Sequence, residues 1–193
     1  MGKRKKHPIL GGILVLLGII IIIGALGGGG SKNTPTKVAD TSGEVSSEGT
    51  ETSEQEEVQT EFGLGEKVTL NDVAVTLLNV SESKGSAYNK PTDGNVYVLC
   101  EFEIENNKSS DINVSSMLSF ECYCDDYTST LSIGALMEKG NKNQLDGTVA
   151  SGKKFNGVVG YEVPVDWQEL ELHFTPGFWS VKDIVFTVTH EEL

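Results

Sequence analysis

The run "ILGGILVLLGIIIIIGAL", from Ile9 to Leu26, carries no charged or hydrogen-bonding side chain. A helix packed on a soluble core keeps a polar face, and this run has none. At about 1.5 Å per residue it reaches roughly 27 Å, close to the hydrocarbon thickness of a bilayer. Lys3, Arg4, Lys5 and Lys6 precede it, and a basic flank is retained on the cytoplasmic side. The expectation is a single-pass signal anchor over 9–26, with residues 1–8 a basic cytoplasmic head and the rest of the chain outside the membrane. Cleavage is the competing reading, since Ala25-Leu26-Gly27 offers small residues. Cleavable apolar regions, however, usually run about 7–15 residues. The following "GALGGGGS" has no cysteine, so a lipid has no attachment point there. Lys6 stands where a myristoylation signal has Ser or Thr.

Residues 27–62 are rich in Gly, Ser, Thr and Glu and poor in large apolar residues. Such a segment buries too little surface to offset the entropy of ordering, so it reads as a disordered acidic linker. From residue 63 to 193 the composition becomes that of one folded domain. It holds nine lysines against twenty acids and no arginine, within a chain of net charge −13. Phosphate binding needs clustered Lys and Arg, so nucleic acid is excluded as a partner.

The domain reads as β throughout. "KVTL", the turn pair Asn71-Asp72 and "VAVTLLNVS" form two strands. In the second, the apolar parity changes after Leu77, which implies a bulge or a strand buried on both faces. "NVYVLCEFEIEN" puts Val96, Val98, Cys100, Phe102 and Ile104 on one face and Glu101, Glu103 and Glu105 on the other. "LSFECYCDDY" aligns Leu118, Phe120, Cys122 and Cys124. "KFNGVVGYEVP", "ELELHF" and "KDIVFTVTH" complete about seven strands, which argues for an antiparallel sandwich. The stretch 131–152 fits a short strand, a helical turn or a long loop.

Four segments in series, "GEKVTLNDVAVTLLNV", "NVYVLCEFEIENN", "FECYCDDY" and "SGKKFNGVVGYEVP", resemble the extracellular immunoglobulin-like domain of unknown function 4352 family. That family is found in lipoproteins and membrane-anchored proteins of Gram-positive bacteria. The aromatic-led strand ending in Glu-Asn and the Gly-x-x-Gly-Tyr-Glu-Val-Pro strand end carry the likeness. The resemblance implies an immunoglobulin-like β-sandwich at the cell surface and supplies no catalytic residue.

Candidate chemistry is sparse. Cys-x-Cys in a strand does not have the ligand spacing of zinc or the Cys-x-x-Cys of a redox helix. Strand parity instead puts Cys100, Cys122 and Cys124 in the core. Two readings remain: one bond from Cys100 to Cys122 or Cys124, permitted outside the membrane, or three buried thiols. The like-charged row Glu101, Glu103 and Glu105, joined by Glu121 and Asp125 if the strands pair, is either a solvated face or strain that Ca²⁺ would relieve. Phe174, Phe178 and Trp179, around a Pro-Gly turn, are either a contact patch or an aromatic plug. Ser81-x-x-Lys84 and Ser151-x-x-Lys154 lie in polar turns without the companion motifs of penicillin-binding enzymes. The expectation is therefore a membrane-anchored, surface-displayed module that binds or supports an envelope component, without catalysis, metal or cofactor. An enzyme with a site in 131–152, or a purely structural envelope protein, is the alternative.

Overall fold

The structure is a computed structural model and describes residues 35–38, 61–176 and 182–193. The anchor expected over 9–26 lies outside the described residues, as do residues 39–60, Phe178 and Trp179. Among the described residues no helix is long and apolar enough to cross a membrane. In chain order the elements are β1 (Thr36–Lys37), β2 (Glu61–Phe62), β3 (Lys67–Leu70), β4 (Val73–Ser83), β5 (Asn95–Asn106), β6 (Ile112–Val114), β7 (Phe120–Cys124), β8 (Tyr127–Ser129), α1 (Ile133–Met137), β9 (Gly147–Val149), β10 (Lys154–Pro164), β11 (Glu169–Phe174) and β12 (Ile184–Thr189). A 3-10 turn, His190–Glu192, follows.

One sheet has the order β1-β3-β4-β5-β10 and is antiparallel throughout. The other has the order β2-β12-β11-β7-β8, antiparallel except where β2 runs parallel to β12. A small third sheet joins β6 to β9. Every strand longer than three residues (β3, β4, β5, β7, β10, β11 and β12) falls in a segment that the sequence marks as a strand. The additional strands are two or three residues long, too short for a period-2 pattern to show. Two of them lie inside the segment read as linker. Thr36 and Lys37 pair with Thr69 and Val68, and Phe62 is buried in the core, so the folded unit takes in residues on both sides of the boundary at 63.

Turn chemistry fixes the registers. Asn71 and Asp72 both have positive φ, 53° and 59°, and close the β3–β4 hairpin. Asp125 and Asp126, at 48° and 69°, do the same for β7 and β8. Two successive left-handed residues match the twist of paired strands, and Asn and Asp tolerate that conformation best after glycine. The β4 parity change is a bulge: the register with β5 shifts between Leu77 and Asn79, and Leu78 turns outward. One alternation did not extend as read. β7 begins at Phe120, and Leu118 lies before it in an exposed turn rather than beside Cys122.

The inner faces of the two sheets meet in one apolar core. Its centre is a run of rings: Phe62 against Phe186, Phe186 against Phe102, Phe102 against Phe120 and Phe120 against Phe174, with centroids 5.0–6.3 Å apart. These separations suit tilted and edge contacts between aromatic quadrupoles.

The stretch 131–152 is a packed strap. Leu131 bridges to Tyr161. Ser132 caps α1, its hydroxyl accepting from the Ala135 N–H at 3.2 Å. The helix lies on the outer face of the first sheet, where Leu136 packs with Leu99 and Val158. This close approach depends on Gly160 of β10. A Cβ there would fall 2.8 Å from the Ala135 Cβ and 3.3 Å from the Leu136 nitrogen. Gly160→Val is accordingly expected to lift α1 and to cost about 1–3 kcal/mol, as overpacking does. The check is the urea midpoint; an unchanged midpoint would show that the strap yields without penalty.

Candidate functional site

The two outer faces treat their acids differently. On the first sheet, Glu101, Glu103 and Glu105 project outward, as the alternation of β5 requires. Lys142 meets Glu101 at 2.5 Å, Lys154 meets Glu103 at 2.9 Å and Glu105 at 3.3 Å, and Lys67 meets Glu105 at 2.6 Å. The bonds to Lys67 and Lys154 outweigh partial burial and hold the Glu105 carboxyl below its ordinary range. Lysine relieves the like-charge strain of this row. Glu121 and Asp125 do not join the row, because β7 belongs to the other sheet.

On the second sheet the outward side chains of β11 are Glu169, Glu171 and His173. His173 is held between two carboxylates, Nδ1 to Asp183 and Nε2 to Glu171. The Tyr123 ring meets it edge-on, with centroids 5.4 Å apart. Burial opposes a charge on this imidazole, but the bonds to Asp183 and Glu171 prevail and its pKa is raised. Beside it, Tyr123, Asp125, Asp126, Glu169, Glu171 and His173 line a shallow concavity of about 220 Å³. Glu169 is raised by burial first, then by Glu61, Glu171, Asp126 and Asp125. Among the described residues, Asp125, Asp126, Glu169 and Glu171 have no lysine partner. No group of three or more His, Cys, Asp or Glu among the described residues has metal-holding geometry.

Asp125 has a second duty. Its Oδ1 accepts from the backbone N–H groups of Gln168 and Glu169, each at 2.9 Å, and so ties the β7–β8 turn to the start of β11. The sequence reading missed His173 as part of a constellation. The signal was present, because the alternation of "ELELH" already put Glu171 and His173 on the solvent side. Only the pairing of β11 with β7 and the position of Asp183 show what surrounds them.

A raised histidine pKa stabilises the fold below the ordinary imidazole range, and that stability is lost as pH rises through the folded value. His173→Gln is therefore expected to destabilise more at about pH 5 than at about pH 8.5. Urea unfolding at both pH values reads the difference. An equal loss at the two would mean that the imidazole charge contributes nothing.

Cys100, Cys122 and Cys124 line the core, as parity requires, and all three are free thiols. The bond considered from Cys100 to Cys122 or Cys124 is not formed in this structure. Burial pushes Cys100 up to about 12. Burial, with Asp125 adding to it, pushes Cys124 up to about 11. Burial raises Cys122 further still, with smaller contributions from Cys100, Cys124 and Glu171. Nucleophilic thiolate is scarce in such an environment. Mass spectrometry after iodoacetamide treatment is expected to find almost no alkylation of the native protein and three modified cysteines after denaturation. Fewer than three on denaturation without reductant would reveal a bond.

The contact patch does not survive in the form read from the sequence. Phe174 shares the inward parity of Leu170 and Leu172 and is 1% exposed, packed on Phe120. It is a core residue, whereas Phe178 and Trp179 lie outside the described residues.

Two facing sheets of mainly antiparallel strands define an all-β, immunoglobulin-like sandwich. The chain belongs to the family described as "Domain of unknown function (DUF4352)", whose profile matches residues 62–184. Its fold is similar to that of ycdA from Bacillus subtilis subsp. subtilis str. 168, provisionally called a lipoprotein, at a TM-score of 0.53 and 22% identity. That match covers 62% of this chain and 37% of ycdA. The yjhA protein of Bacillus subtilis is similar at a TM-score of 0.50 and 19% identity, over 66% of this chain and 98% of yjhA. An uncharacterized β-sandwich protein of Clostridium difficile 630 matches at a TM-score of 0.45 and 18% identity, over 72% of this chain and 99% of that one. No curated protein matches the sequence. At these identities the solved structures speak to fold alone.

The family's two marks have structural explanations here. The Glu-Asn strand end supplies Asn106, which is fully buried. In the Gly-x-x-Gly-Tyr-Glu-Val-Pro strand end, Gly157 and Gly160 admit the strap. Glu162 of the same motif accepts from the Thr92 N–H at 2.8 Å and from the Asn95 amide at 3.1 Å.

Proposed function

We propose that this chain is a non-catalytic binding module displayed on the outer side of the cell membrane. In this reading residues 9–26 anchor it, the part of the 27–62 linker that precedes β1 spaces it from the bilayer, and the outer face of the second sheet receives a cationic partner. The observation that carries the binding surface is the contrast between the two faces. Glu101, Glu103 and Glu105 are each matched by lysine, whereas among the described residues Asp125, Asp126, Glu169 and Glu171 have no lysine partner and crowd around His173, which pairs with Glu171. Like-charged carboxylates crowded on a sheet cost stability, and a basic partner relieves that cost on docking. Display outside the membrane is supported by the basic flank ahead of an uncharged run, and by the provisional lipoprotein description of ycdA. Absence of catalysis is supported by the chemistry of the strongest nucleophiles in the chain, three buried and protonated thiols.

The test uses the full chain in nanodiscs, titrated with oligolysine. Binding is expected to weaken steeply with added salt and to fall about tenfold in the double variant Glu169→Gln, Glu171→Gln. Equal binding by that variant, or loss only when Glu101 and Glu103 are changed instead, would move the surface elsewhere.

A further inference from the structure

Two carboxylates meet one imidazole on the outer face of the second sheet, Asp183 at Nδ1 and Glu171 at Nε2 of His173. A protonated ring donates from both nitrogens and satisfies both neighbours. A neutral ring has one donor and one lone pair, so it satisfies only one of them. The clamp is complete only while His173 carries its proton, and loss of that proton releases one carboxylate.

The surroundings of the ring are otherwise acidic. On β11 itself, Glu169 and Glu171 share its outward side. In the row across the sheet, Glu121 of β7 stands opposite His173, and Glu61 of β2 stands beyond Val185 of β12. Tyr123 of β7 sets its ring against the imidazole. Asp125 and Asp126, in the β7–β8 turn, line the same concavity. Lys182 adjoins Asp183 in the chain. Among the six residues that line the concavity, His173 alone can carry a positive charge. Glu169, raised by burial and then by its acidic neighbours, is a second group that titrates above the ordinary carboxylate range.

We propose that a proton on His173 and a basic partner compete for this face, so that the surface closes to cations in acid and opens to them as the pH rises. The inference rests on the binding face proposed above and adds its regulation. Protonated, the ring sets a positive charge beside the docking position and keeps Glu171 occupied. Neutral, it removes that charge and frees Glu171 or Asp183 to meet an ammonium group. A partner that prefers the neutral ring binds more tightly above the folded His173 value and, by reciprocity, lowers that value. Burial opposes the imidazolium, but the bonds to Asp183 and Glu171 outweigh it and keep the proton on to a higher pH than in an ordinary imidazole. The exchange therefore falls above the ordinary imidazole range, where the surrounding carboxylates of ordinary acidity stay ionised.

The test titrates oligolysine into the full chain in phosphocholine nanodiscs at constant ionic strength. The parent is expected to bind about three- to tenfold more tightly at about pH 8.5 than at about pH 6. His173→Gln is expected to lose most of that dependence and to keep only what Glu169 contributes. A second readout needs no variant fold beyond assignment: the Cε1 proton of His173, identified by its absence in His173→Gln and followed by NMR in the parent. Its titration midpoint should fall by about 0.5–1 pH unit with saturating oligolysine, the same coupling measured from the other side. The proposal is overturned if His173→Gln keeps the parent's pH dependence, or if saturating oligolysine leaves the His173 midpoint in place. Absence of oligolysine binding at both pH values would instead overturn the binding face, and the competition with it.

Discussion

Trp167→Ala is expected to lower the unfolding free energy by about 3–5 kcal/mol, the range for truncating a fully buried Trp or Phe. Trp167 is 0% exposed and sits in the turn between β10 and β11. Its indole nitrogen donates to Glu82 Oε1 of β4 at 2.8 Å. Its ring stacks on His190 at 4.6 Å and 25°, and His190 in turn lies 3.2 Å from the same carboxylate oxygen. One side chain thus joins the first sheet to the C-terminal 3-10 turn that follows the second. Native domains hold only about 5–15 kcal/mol in reserve, so this loss removes a large fraction. The urea midpoint should fall with an unchanged slope if the transition stays two-state. Trp167→Phe keeps most of the volume and loses the bond to Glu82, so its cost should be clearly smaller. Equal costs for the two substitutions would mean that the hydrogen bond, not the packing, dominates.

Asn106→Leu is the second large effect and works by a different route. The side chain is 0% exposed at the end of β5. Its amide nitrogen donates to the carbonyls of Ser110 and Val149, both at 2.9 Å, and its oxygen accepts from the Lys108 N–H at 3.0 Å. Leucine has nearly the same volume, so no cavity is made. It leaves backbone groups of the β5–β6 loop and of β9 without partners in a buried place, at about 1–3 kcal/mol for each group that stays dry. A total of about 3–5 kcal/mol is expected. Asn106→Asp separates the contributions, because the acceptor is kept while a carboxylate faces two carbonyls. That variant should recover stability as the pH falls and the carboxyl protonates. A cost for Asn106→Leu under about 1 kcal/mol, the net worth of a single hydrogen bond, would show that water replaces the amide.

These two residues mark where sequence reading stops. The strands β5, β11 and β12 were legible because apolar and polar residues alternate along them, a pattern that needs no knowledge of partners. The inward position of all three cysteines followed from the same parity. Sheet membership did not follow. Nothing local distinguishes β5 from β7 as strands, so whether Glu121 and Asp125 would join the Glu101 row could be settled only by long-range pairing. Leu118 failed for a related reason. The alternation through Leu118 ran past the true start of β7, whereas Phe174 shares the buried face of β11 with Leu170 and Leu172, as the alternation of "ELELHF" requires.

The candidate site was half legible. Glu171 and His173 could be put on the solvent side from "ELELH" alone. Asp183, ten residues on, closes the histidine clamp only because β12 returns beside β11. The strap 131–152 resisted reading because its one helix has five residues, too short for a periodic pattern, and depends on Gly160 of another strand for its seat.

The claim that organises this account is that the sandwich stands outside the membrane on an uncut anchor. Protease shaving of intact cells tests it directly, with antibodies to the sandwich and to a tag placed before Lys3. The account predicts that external protease removes the sandwich signal while a short tagged fragment stays with the membrane. A sandwich that survives on intact cells and is digested only after lysis would contradict it.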